Sequence, residues 1–135
     1  MKARFVMTLS VICLLIFGLG FIFAPQWTLD LFDIAIEPGG VLMTQLLGAG
    51  FVGFAIMNWL ARNFTVHADA TPVLTANFFM NAIGFIVALN HMLDGLSNAW
   101  GWVPTALYLL FALAFGYCLL VRSSIEKPMM RTRHA

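Results

Sequence analysis

The stretch from Val73 to Leu93 reads VLTANFFMNAIGFIVALNHML, twenty-one residues with no Asp, Glu, Lys or Arg among them. A helix of that length rises about 30 Å, the thickness of a bilayer's hydrocarbon core. Along it and just past its end, polar and small residues follow a pattern: Asn77, Asn81, Gly84, Ala88, His91 and Gly95 succeed one another at spacings of 4, 3, 4, 3 and 4. That is a heptad seam. Phe78, Phe79, Ile83, Phe85, Ile86 and Leu89 fall elsewhere on the helix. The pattern predicts a membrane-spanning helix whose seam faces protein and whose remainder faces lipid. Small residues let helices approach closely, and Asn amides seek partners across helices because an unpaired amide in hydrocarbon is costly.

Three further charge-free stretches flank this one: Phe5 to Ala24, Val41 to Ala61 and Val103 to Val121. With 61% hydrophobic residues, a mean hydropathy of +0.91 and only 10% charged residues, the chain lies far from the roughly one-quarter charge content of soluble domains. The expected fold is all-α, a four-transmembrane-helix bundle forming a single integral membrane domain over residues 1–135. Seams like that of the third span recur. Ser10, Cys13, Phe17, Gly20 and Ala24 mark the first span; Thr44, Gly48, Phe51, Ala55 and Asn58 the second; Thr105, Leu109, Ala112 and Gly116 the fourth. Asn58, Asn77 and Asn81 together suggest either tight packing or a narrow interior pocket for a small amphipathic molecule.

Between the first two spans, residues 25–36 are too few to cross a bilayer. They alternate Trp27, Leu31 and Ile34 with Asp30 and Asp33, which predicts a short interfacial helix opened by Pro25 and ended by Pro38-Gly39-Gly40. An internal repeat matches Gly20 through Asp30 with Gly84 through Asp94 at six of eleven positions. Two repeated helical hairpins related by an axis along the membrane normal are the expected consequence.

The basic residues set the orientation. Lys2 and Arg4 precede the first span, Arg62 lies between the second and third, and Arg122, Lys127, Arg131 and Arg133 follow the fourth. The two alternate loops contain no Lys or Arg and hold Asp30, Asp33, Glu37 and Asp94 instead. Both termini are therefore expected in the cytoplasm. The first span is not expected to be cleaved as a signal peptide: its apolar run exceeds a signal core, Ile22 stands where a small residue is wanted, and Pro25 would follow the cut. The basic tail Arg122 to Ala135 reads as a simple topological anchor rather than as a site for anionic lipid headgroups, because its four cations are scattered.

Chemistry-bearing motifs are scarce. Cys13 and Cys118 are the only cysteines and form no CxxC pair, so both read as small buried hydrophobes. No span contains a carboxylate or lysine, which disfavours a coupled transporter. No Ser/His/Asp arrangement, HExxH pair or glycine-rich phosphate loop is present. At the acidic end, Asp30, His91 and Asp94 form a candidate polar cluster, with His91 and Asp94 at i and i+3. One histidine with carboxylates is a poor metal site, so neither a metal nor another cofactor is expected, and no nucleic-acid partner.

Leu46-Leu47-Gly48-Ala49-Gly50, Asn98-Ala99-Trp100-Gly101-Trp102 and Phe115-Gly116-Tyr117, with Phe23 and Pro25 after the first span, resemble small four-helix bacterial membrane proteins distantly similar to the DoxX-like group. The resemblance runs over nearly the whole chain and implies the bacterial inner membrane and an association with quinone or thiol redox systems. The leading expectation from the residues is a non-catalytic four-helix module that binds a lipid-like molecule or serves as a small subunit of a larger membrane complex or homo-oligomer. The alternative is a quinone-linked redox component.

The orientation is testable with single cysteines at Ser97 and Ser124. In intact cells an impermeant thiol reagent should label position 97 and spare position 124; the opposite pattern inverts the topology.

Overall fold

In a computed structural model, residues 2–63, 67–95 and 97–131 are described. Their order is α1 (Lys2–Phe23), α2 (Pro25–Asp30), α3 (Pro38–Ala61), α4 (His67–Leu93), a 3₁₀ turn (Ala99–Gly101) and α5 (Trp102–Arg131). No strand occurs among the described residues. The fold is an all-α four-helix bundle. Four helices are long and apolar enough to cross a membrane, within Ala3–Phe23, Pro38–Ala61, Ala70–Leu93 and Ala99–Val121. α4 begins ahead of the charge-free span and carries Pro72 inside it, and α5 continues to Arg131.

α1 packs chiefly on α3, and α4 on α5. The result is two hairpins laid side by side, with lighter contacts of α1 on α5 and α3 on α4. Hairpin pairing is the arrangement a duplication requires, yet the matched segments differ locally. Residues 84–93 run as continuous helix, whereas the chain breaks at Ala24 and restarts at Pro25. Proline lacks the amide hydrogen that would extend α1. Beside the break, the carbonyl of Ile22 accepts from Gln45 Nε2 on α3 at 3.1 Å.

The interfacial helix is shorter than its expected reach of 25–36. α2 ends at Asp30, with turn residues to Asp33 and an irregular link over residues 34–37 into α3. Asp33 adopts φ 59°, Ile34 N donates to Leu29 O at 3.1 Å and Asp33 N to Asp30 O at 3.0 Å. This is a Schellman closure with aspartate in the left-handed position that glycine usually takes. Pro38 therefore opens α3 rather than ending α2.

Close approach between α1 and α3 rests on two glycines. A Cβ on Gly48 would lie 2.7 Å from the carbonyl oxygen of Gly18, and one on Gly18 would lie 3.1 Å from that of Gly48. Gly18 is not on the seam expected for the first span. Gly20, which is, accommodates the hydroxyl of Thr28 on α2 instead. In α5 the seam is rotated by part of a turn: Thr105, Phe111, Ala112, Phe115 and Cys118 are buried while Leu109 is exposed. Spacing small residues at 4 and 3 put Leu109 inside, but the large Phe111 and Phe115 decide which face is inward. Gly95 also leaves its seam. It is exposed with φ 73° and lies just past the end of α4.

The buried core is small. Met7, Ala61, Leu74, Phe111, Phe115 and Cys118 form one cluster near the basic end, and Val11, Leu14 and Ala55 form another beside it. Outside them, Phe5, Ile16, Leu42, Met43, Leu60, Ile83, Leu110, Leu113 and Leu120 lie exposed. So much outward apolar surface is stable in lipid, which solvates it, and a hazard in water. At the basic end the Arg62 guanidinium lies 3.0 Å above the Trp59 ring. Its Nε has no hydrogen-bond partner among the described residues, and the aromatic face supplies the compensating attraction.

Alanine at Gly48 should lower the thermal midpoint in detergent, because the added Cβ meets backbone. Alanine at Gly50, where nothing lies within 4 Å, should raise it slightly, since glycine costs a helix interior about 0.5–1 kcal/mol. Equal midpoints for the two variants would remove the close contact.

Candidate functional site: a cavity between the hairpins

Asn58 of α3 and Asn77 of α4 are both fully buried. Asn58 Nδ2 donates to Asn77 Oδ1 at 2.9 Å, and Asn77 Nδ2 donates back to Asn58 Oδ1 at 2.7 Å. The two amides thus form a cyclic pair that ties one hairpin to the other. The remaining hydrogens are also used. Asn58 Nδ2 reaches Ser10 Oγ on α1 at 3.2 Å, and Asn77 Nδ2 reaches the carbonyl of Val73 at 2.8 Å. One turn along α4, Asn81 Nδ2 donates to the carbonyl of Asn77 at 2.8 Å.

A second tie closes the acidic end. Ser97 Oγ and the Asn98 amide both donate to the carbonyl of Phe32, at 2.8 and 3.2 Å, and Asn98 Nδ2 donates to that of Leu31 at 3.0 Å. The turn after α2 is thereby latched to the connection between α4 and α5. Asn98 also accepts from Trp100 N at 2.9 Å and so caps the 3₁₀ turn. Gly101 is confined there because any side chain would collide with Met92 and Ser97.

Between the two ties the hairpins separate around a cavity of about 390 Å³. That volume falls within the roughly 300–1,000 Å³ of small-molecule sites. Its walls include Leu14, Phe17, Phe21, Phe51, Met80, Leu107 and Phe111, and Leu29, Phe32 and Ile34 of the latched turn cover its acidic end. Leu29 and Ile34 are the two positions that the Schellman closure brings together. Polar groups lie at both ends: Ser10 and Asn81 at the floor, His91 and Ser97 toward the acidic end, with Thr105 and Tyr108 between. The levels of Asn81 and His91 are about 15 Å apart, from ten residues of α4 at 1.5 Å each. Gly84 makes room for the Tyr108 ring, since a Cβ there would lie 2.6 Å from it.

The residues singled out in the sequence therefore divide. Asn58 and Asn77 are joined but do not line the cavity; Asn81 does. His91 is exposed and lines the cavity toward its acidic end, while Asp30 and Asp94 are exposed and are not among its walls. No group of three or more His, Cys, Asp or Glu among the described residues is arranged to hold a metal ion. Ser10 was visible as a seam residue of the first span. Tyr108 and the covering Leu29, Phe32 and Ile34 carry no such signal, because nothing local distinguishes them from neighbouring apolar residues. No family model matches the chain, and no curated protein or solved structure matches it.

Leucine at Asn58 or at Asn77 leaves the other amide buried without its partner, a loss of about 1–3 kcal/mol. Because the two act as one unit, the double substitution should cost clearly less than the sum of the singles in a thermal-stability cycle. Additive losses would mean that the amides do not depend on each other.

Proposed function

We propose that this chain is a multi-pass protein of a bacterial inner membrane, with both termini in the cytoplasm, that holds a small amphipathic molecule in the cavity between its hairpins. The carrying observation is the cavity itself: apolar along its length, polar at both ends and bounded by a tie at each end. A bundle selected only for packing would close this space, since each unfilled volume forfeits dispersion contacts among its lining residues. The basic residues on one side of the membrane support the orientation.

Among the described residues the lining offers no acid–base pair, paired thiols or nucleophile with a neighbouring base, so binding rather than catalysis is the role it supports. The aromatic side chains Phe17, Phe21, Phe51 and Phe111 would also suit a quinone ring, and the same measurement separates that reading. Protein extracted in mild detergent should release a colourless amphiphile detectable by mass spectrometry. Ala88→Phe, which places a ring in the cavity, should abolish its retention without loss of helical content. A retained redox-active quinone would favour the second reading, and equal retention by Ala88→Phe would exclude the cavity as the site.

A further inference from the structure

The polar network at the cavity floor is incomplete in a specific way. Every hydrogen-bonding group of the Asn58 and Asn77 side chains is engaged. Asn81 is 4% exposed and donates through Nδ2 to Asn77 O, yet its Oδ1 accepts nothing from the described residues. Ser10 is 2% exposed and accepts from Asn58, yet its own hydroxyl hydrogen is donated to none of the described residues. Thr8, Thr28, Thr44 and Thr105 donate theirs to the carbonyl four residues earlier, and Ser10 makes no such bond. Both loose ends belong to residues that line the cavity, and neither atom is among the enclosed groups without a partner. The floor thus offers one acceptor and one donor.

Resting on the reading of this cavity as a ligand site, we propose that it takes a neutral, single-chain amphiphile bound with a hydroxyl group innermost. A hydroxyl both donates and accepts. It satisfies Asn81 Oδ1 and Ser10 together, whereas a ketone, ester or quinone carbonyl can only accept and leaves Asn81 Oδ1 unpaired. A carboxylate or phosphate at the floor is excluded on cost: among the described residues no Lys, Arg, Asp or Glu lines the cavity, and an unpaired buried charge is heavily penalised. The space of about 390 Å³ corresponds to about a dozen methylene-sized units at roughly 30 Å³ for a water-sized group. The interval of about 15 Å suits one extended chain of that size running from the floor toward His91.

The test uses the full chain in lipid nanodiscs with 1-dodecanol, 2-dodecanone and dodecanoate as probes, their binding measured by native mass spectrometry. 1-Dodecanol should bind about tenfold or more tightly than 2-dodecanone, the penalty for one buried group left unpaired, and dodecanoate should bind more weakly still. Asn81→Leu should erase the preference for the alcohol over the ketone while leaving ketone binding nearly unchanged. Ser10→Ala, a smaller change that keeps the helix intact, should weaken alcohol and ketone alike. Dodecanoate binding as tightly as the alcohol, or an undiminished alcohol preference in Asn81→Leu, would overturn the inference while leaving the cavity as the site. Binding of no probe, or probe binding that survives Ala88→Phe, would instead defeat the cavity reading beneath it.

Discussion

Asn58 and Asn77 meet in a region where hydrocarbon offers no alternative partner, and the arrangement of the bundle follows from satisfying them. A primary amide has two donors and a carbonyl acceptor, and two amides face to face cancel most of that demand in one cyclic contact. The pair forms only if α3 and α4, from different hairpins, approach at this depth and in this rotation. Once it forms, Ser10 on α1 and Asn81 one turn along α4 are drawn into the same network. The strength of each bond in membrane is modest, about 0.6 kcal/mol on average. Its directional value is larger, because apolar faces alone slide past one another without a preferred register.

Packing provides the rest of the cohesion, unevenly. Close contact within the first hairpin comes from backbone meeting backbone at Gly18 and Gly48. The second hairpin uses a glycine differently, with Gly84 receiving the ring of Tyr108. Where the hairpins meet, large buried side chains such as Met7, Leu74 and Phe115 concentrate near the basic end. Toward the acidic end that packing gives way to the cavity, and the turn after α2 bridges the gap through carbonyls rather than side chains. The bundle is therefore fastened at two levels with an open interval between, which is the physical origin of the cavity.

Some of this was legible in the sequence and some was not, for reasons that differ by residue. The spans of the helices follow from charge-free length, and the inward face of α4 at Asn77, Asn81 and Gly84 follows from the heptad spacing of polar and small residues. In α5 the same spacing pointed to Leu109, which is exposed. Its few polar residues left the seam to be read from size, and large aromatic residues pack inward as readily as small ones when a neighbour leaves room. The reach of α2 was overestimated because aspartate at position 33 supplies the left-handed residue that a glycine search overlooks.

The sequence by itself determined the class of the protein: four apolar helices of bilayer length, their short connections, the concentration of basic charge on one side and the presence of buried amides that had to find partners. These are properties of composition and period, legible without knowing any contact. Which amides pair, and which keep an open valence, was decided only by tertiary structure. Asn58, Asn77 and Asn81 look equivalent along the chain, yet two are closed on each other and the side-chain carbonyl of the third accepts nothing from the described residues. The same is true of the cavity, because an interior space is a property of how four helices cross and no local pattern records it.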